Sequence, residues 1–229
     1  MKERGLICKD DEVSAILDGR KTVMRRPVTS MNGFGRITRV SEGSRGYSVA
    51  CTDTKGVVHD IAYHEACDRG PFGVPGDRLW VRERFAPVDS NGHKCAVRDA
   101  NFVVMSDGAQ VCRDGTVVDA LPKFAQGVFD GIIWRPSIHM PRWASRILLE
   151  VVSVRVERLH AITEEDARRE GMGGKGLTAS EVIDRAAGLP RAASFRAAFE
   201  NKWRSFNYTK RHAWSENPFV WRVEFRRLP

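Results

Sequence analysis

The stretch Ile16-Leu17-Asp18-Gly19-Arg20-Lys21-Thr22-Val23-Met24-Arg25-Arg26 constrains this chain most, because it stops a helix and starts a strand in immediate succession. Val13, Ile16 and Leu17 fall at helical spacing, Asp10 can cap the first turn, and Gly19 stands where a left-handed C-cap residue belongs. Arg20 and Lys21 then leave a tight turn, and Thr22, Val23, Met24 and Arg25 read as a strand whose opening is loaded with cations. Cations held on a rigid turn suit an anionic or polar ligand.

The rest of the chain reads as short strands with a few helices. Residues 5 to 9 form a first strand, and glycine-dotted alternation from Met31 to about Cys67 predicts antiparallel strands joined by turns. Gly76-Asp77 leads into a strand from Arg78 to Phe85. Leu79, Val81, Glu83 and Phe85 share one of its faces, and Trp80, Arg82 and Arg84 the other. If the first face looks inward, Glu83 needs a partner such as Lys21 or an arginine; the alternative is a salt bridge at the rim. Asn91-Gly92, Asp107-Gly108 and Asp114-Gly115 predict hairpins between residues 87 and 133.

Ile147 to Val156 is the strongest strand. Thr163-Glu164-Glu165-Asp166 caps a helix ending at Gly171, and Thr178-Ala179-Ser180-Glu181 opens another. Phe195, Ala198, Phe199 and Trp203 make an amphipathic helix. Phe219, Trp221, Val223 and Phe225 line one face of a closing strand, with Arg222 and Glu224 on the other.

Charge and composition narrow the partners. With 37 basic against 29 acidic residues the net charge is +8, which favours nucleic acid, the alternative being a solvated basic surface. Cysteines 8, 51, 67, 95 and 112 form no CxxC pair and follow no secretory segment, so no disulfide framework and a cytoplasmic location are expected. No apolar run approaches the roughly 20 residues that span a bilayer, so no membrane partner is expected.

Several chemistries find little footing. His59, His64 and Cys67 lack a second ligand pair, so no metal is expected. No GxSxG elbow is present, and Lys175 is followed by Gly176, which breaks the P-loop order. The segment Trp134 to Arg146 is richer: Trp134, Arg135, Arg142, Trp143 and Arg146 can clamp a base or phosphate, or its tryptophans can pack an edge.

The opening Ile16-Leu17-Asp18-Gly19-Arg20-Lys21-Thr22 resembles the signature of the ASCH domain, a PUA-like β-barrel family associated with RNA and modified nucleosides. Gly76 to Glu83, the segment Ile162 to Gly171 and the strand Val220 to Phe225 support it, and their layout, including Trp134 to Ala144, is similar to longer members carried by phages and prophages. The resemblance covers about two thirds of the chain. It implies an α+β fold, a small mixed or antiparallel PUA-like barrel with flanking helices and inserted β-hairpins. One domain over residues 1–229 is expected, with insertions at about 31–66 and 87–133.

Compact ASCH proteins include amidohydrolases that deacetylate N4-acetylcytidine with a lysine, a threonine and a glutamate. The lysine falls on Lys21 and the glutamate on Glu170, but the threonine falls on Met24. The nucleophile is then Thr22, a serine from elsewhere or a water activated directly by Lys21 or Glu170. Thr22, on the same strand face, is displaced by about 6 to 7 Å, too far for simple substitution. Lys21, Glu170 and Thr22 are therefore the catalytic candidates, the alternative for Lys21 and Glu170 being an ion pair that fixes geometry. The ligand-binding candidates are Arg20, Arg25, Arg26, Trp80, Glu83, Trp134, Arg135, Arg142, Trp143 and Arg146. The expected partner is nucleic acid, RNA ahead of DNA, or a modified nucleoside, with no cofactor. A phage accessory protein that has lost the ligand is a further reading.

Overall fold

The computed structural model describes residues 1–29, 37–43, 46–53, 55–88, 95–118, 133–172, 194–206 and 210–229. The expected Asn91-Gly92 turn, Lys175 in the glycine-rich loop and the helix expected from Thr178 lie outside the described residues. In chain order the elements are β1 (Glu3–Ile7), α1 (Asp10–Leu17), β2 (Val23–Pro27), β3 (Ile37–Gly43), β4 (Gly46–Thr52), β5 (Val58–Ala62), α2 (Tyr63–Arg69), β6 (Arg78–Arg82), β7 (Phe85–Val88), β8 (Phe102–Met105), β9 (Gln110–Cys112), β10 (Val117–Val118), β11 (Leu148–Arg158), α3 (Glu164–Arg169), α4 (Phe195–Arg204) and β12 (Phe219–Arg227). The fold is mixed α+β with mostly antiparallel pairing, and among the described residues no strand order closes into a barrel. No described helix is long and apolar enough to cross a membrane.

The chain divides into two compact units. The first comprises Met1–Lys2, Ala15–Asp77 and Glu150–Arg226; the second comprises Glu3–Ser14, Arg78–Leu149 and Arg227–Pro229.

In the first unit β11, β12 and β2 are neighbours, with β12 and β2 antiparallel in a register that sets Val223 opposite Met24 and Arg222 opposite Arg25. Both faces of this pair are covered. Val23 and Met24 are fully buried, Arg25 is 1% exposed, and Arg222, on what alternation marks as the second face of β12, is 4% exposed. That second face is covered because Asp166 of α3 hydrogen-bonds Arg222 there. The Thr163 hydroxyl caps α3 by accepting the Asp166 N–H at 3.1 Å, and Gly171 follows in the left-handed region at φ 85°. Ser194 caps α4 by accepting the Ala197 N–H, and Ala198, Phe199 and Trp203 pack with Leu159, Ile162, Trp214 and Val220. Burying a side chain such as Phe199 contributes about 1.5–3 kcal/mol. Of the stretch read as alternating strands, β3, β4 and β5 form an antiparallel sheet, but its end is the helix α2 rather than strand, and residues 31–36 lie outside the described residues.

In the second unit β1 runs parallel to β6, and β7, β8, β9 and β10 form an antiparallel meander. Its turns are the expected Asp107-Gly108 and Asp114-Gly115, with both glycines at positive φ. Two expectations shift. The first strand is Glu3–Ile7, because Glu12 accepts the Lys9 N–H and so makes Lys9, not Asp10, the residue flanking α1. The strand expected over 78–85 breaks at Glu83 and Arg84, where the Glu83 N–H turns to Met140 Sδ at 3.2 Å and Phe85 bridges Arg135. Leu79, Val81, Glu83 and Phe85 nevertheless all point inward, each at most 1% exposed.

Candidate functional site

Lys21 is delivered by the helix stop predicted for it. Gly19 takes a left-handed conformation at φ 71°, the Lys21 N–H returns to Ala15 O, and the Lys21 backbone bridges Glu170. Its ammonium donates to Glu170 Oε2 at 2.7 Å and to Glu170 O at 3.1 Å. Gly171 permits this approach: a Cβ there would lie 2.8 Å from Ala15 Cβ and 3.1 Å from Lys21 Cβ.

From Glu170 the ionic network continues inward. Glu170 Oε1 accepts from Arg25 Nη1 at 3.3 Å, and Arg25 Nη2 donates to Asp166 Oδ2 at 2.6 Å and Glu157 Oε1 at 2.7 Å. Asp166 Oδ1 accepts from Arg222 Nη2 at 2.8 Å, and Arg222 Nη1 reaches Glu224 at 3.3 Å. Arg169 pairs with Glu224 and donates from Nε to the Thr22 hydroxyl at 3.2 Å. Burial works against the Asp166 charge, but Arg222 and Arg25 outweigh it and hold the carboxyl below its ordinary range. Glu224 is lowered in the same way, burial opposing and Arg169 prevailing.

This arrangement pairs buried charges, which is what burial of charge demands. A general base must come within hydrogen-bond reach of a substrate proton, yet the Lys21 and Glu170 side chains are only 2% and 3% exposed. Met24 fills core space, and the Thr22 hydroxyl is engaged by Arg169. Arg25, a candidate for phosphate contact, has a side chain with no exposed surface and three carboxylate partners. Arg20 pairs with Asp18 and the Gly171 carbonyl, and Arg26 donates to the Arg25 carbonyl.

The second unit collects the tryptophan candidates. On the outward face of β6, Arg82 lies 5.1 Å and Arg142 6.0 Å from the Trp80 ring centroid. Arg84, just beyond the end of β6, lies 4.9 Å from the centroid of exposed Trp134, and Arg113 covers Trp143 at 5.1 Å. Arg142 and Arg84 also pair with Glu3 and Asp10. Arg135 is exposed and joined to Phe85 through its backbone.

The chain matches no known protein family, no curated protein and no solved structure.

The inward-facing Glu83 finds an arginine: Arg146 grips it at 2.9 and 2.7 Å and also reaches Asp107 at 2.7 Å. Burial still pushes the Glu83 carboxyl above its usual value against the pull of Arg146. Among the described residues no group of three His, Cys, Asp or Glu is placed to hold a metal ion. His59 Nε2 lies 3.1 Å from Asp53, and the Cys67 thiol donates to Val154 O, its pKa raised by burial to about 11. Sequence reasoning missed Asp166 and Glu157 as centres of the network. The available signal was Arg25 and Arg222 in apolar strands, since buried guanidinium groups require carboxylates.

Proposed function

We propose that the chain is a PUA-like ASCH protein that binds single-stranded nucleic acid, RNA ahead of DNA, and that its Lys21–Glu170 pair holds structure rather than catalysing. The contact between Lys21 and Glu170, 149 residues apart, supports the family reading, because these are the two positions that the resemblance relates.

The observation that carries the binding reading is the row Arg142, Trp80, Arg82, Arg84 and Trp134. Aromatic faces flanked by guanidinium groups stack bases at about 1–3 kcal/mol per base. The exposed pairs Arg142–Glu3 and Arg84–Asp10 hold about 0–1 kcal/mol each, so phosphates displace the carboxylates at small cost. The test is the salt dependence of binding to a single-stranded oligonucleotide. Affinity should fall steeply with salt, with a log–log slope that shrinks by about one in Arg142→Ala. A slope unchanged by that substitution would remove Arg142 from the interface.

A second reading is supported by the same 2.7 Å contact: hydrolysis of an N4-acylated cytosine with Lys21 as base and Glu170 as proton shuttle. Release of cytidine from N4-acetylcytidine by the wild type but not by Lys21→Ala would establish it.

A further inference from the structure

The first unit contains a groove of about 840 Å³ that shares no described lining residue with the Arg–Trp row or with the buried ionic network. Its volume falls within the range of small-ligand pockets, roughly 300–1,000 Å³.

Cations gather in it. Arg158, Lys210 and Arg211 line it, and among the described residues none of them has a carboxylate partner. Elsewhere in the same unit Arg25, Arg155, Arg169, Arg222 and Arg226 each have one. Glu216 is the one carboxylate among the described lining residues. Three cations against one carboxylate leave the concave site net positive, which attracts an anion.

The site also has rigid parts. The Arg158 guanidinium carbon sits 3.8 Å from the Phe219 ring centroid, and its Nη1 donates to Asn217 O at 3.1 Å. Asn217, in the left-handed region at φ 43°, is fixed by accepting the His160 N–H on its side-chain oxygen at 2.8 Å. A guanidinium plane held on one side by Phe219 offers its other side to a base. Lys210 and Arg211 belong to a single 3-10 turn, Lys210–His212, tied to α4 by the Trp203 indole N–H, which donates to His212 O at 2.8 Å. Thr29 brings a hydroxyl group, a usual neutral partner of phosphate oxygens. Val28, Ile37 and Pro218 supply apolar wall.

We propose that this groove binds a phosphorylated nucleoside, with Arg158 stacked on the base and Lys210 and Arg211 on the phosphate. Such a group arrives either as a free nucleotide or as the 5′ end of an RNA. The site is independent of the Arg–Trp row, so each stands or falls separately.

The test is calorimetric titration of the full chain with adenosine monophosphate, adenosine, inorganic phosphate and a 5′-phosphorylated trinucleotide. Adenosine monophosphate should bind at least about tenfold more tightly than adenosine or phosphate alone, because both halves of the site are then used. Arg158→Ala, which removes the stacking surface, and the double change Lys210→Ala with Arg211→Ala, which removes the charge-assisted contacts, should each weaken that binding by about tenfold or more. All three residues are exposed, so these variants should retain the wild-type circular dichroism. Tighter binding of the trinucleotide than of the mononucleotide would identify an RNA end as the source, and equal binding a free nucleotide. No binding of either phosphorylated probe, or binding indifferent to both variants, would overturn the proposal.

Discussion

Arg25 and Arg222 stand directly opposite each other on β2 and β12, both buried, and share one carboxylate, Asp166, whose two oxygens lie 2.6 and 2.8 Å from them. Like charges facing across a strand pair repel. Asp166 reverses the sign of that contact, which makes it the centre of the network. Asp166→Asn should therefore destabilise the protein by about 3–5 kcal/mol, the range for removing one partner of a buried pair. Urea denaturation measures it. Combining Asp166→Asn with Arg222→Met should recover part of the loss, because the second change removes a charge left without its carboxylate.

Acid should expose the same network. The Asp166 and Glu224 carboxyls lie below their ordinary values of 3.8 and 4.5 in the folded protein, so the unfolded chain takes up their protons first as pH falls. Their stabilisation is complete above those ordinary values and is lost as pH drops through the lowered ones. Glu83 runs the other way: its raised folded value means that protonation favours the folded state as pH falls toward 4.5. Urea midpoints measured down the acid range should fall most steeply below about pH 4, and Asp166→Asn should flatten that limb.

Placing at position 24 the threonine that the ASCH resemblance expects should not create an enzyme. Met24 has no exposed surface, and Lys21 is closed against Glu170. Met24→Thr should release no cytidine from N4-acetylcytidine, by chromatography, and should lose about 1–3 kcal/mol of stability through a buried hydroxyl. Measurable release would make the pair a latent catalytic site.

Two glycines separate backbone strain from steric contact. Gly76 and Gly171 have φ of 87° and 85°, but a Cβ would meet nothing within 4 Å at Gly76 and would lie 2.8 Å from Ala15 Cβ at Gly171. Gly76→Ala should cost about 1–2 kcal/mol for the left-handed backbone alone. Gly171→Ala should cost more, and the excess measures how closely the end of α3 approaches the turn that carries Lys21.

Local chemistry made much of this legible in the sequence. Gly19 marked the end of α1, Thr163 the start of α3, Asp107-Gly108 and Asp114-Gly115 the meander turns, and the spacing of Ala198, Phe199 and Trp203 the inward face of α4. Each signal resides in a few neighbouring residues. Alternation along 78–85 set Glu83 on the face of Leu79 and Val81 but left open whether that face is buried, and it could not give the partner, since Arg146 lies 63 positions away. The same limit applied to Arg25 and Arg222. Their charge suggested solvent or phosphate, and the carboxylates that allow burial come from distant segments, Asp166 of α3 for both and Glu157 of β11 for Arg25. The groove of Arg158, Lys210 and Arg211 went unread because its parts belong to separate segments and match no local pattern.

The most direct measurement is fluorescence anisotropy of a labelled single-stranded RNA titrated with wild type and with the double variant Trp80→Ala, Trp134→Ala, at low and at moderate salt. Salt-sensitive binding by the wild type, weakened by about tenfold or more in the variant, is the predicted result, since each stacked base contributes about 1–3 kcal/mol. Equal affinity of the two folded proteins, or no binding by the wild type at low salt, would contradict the account.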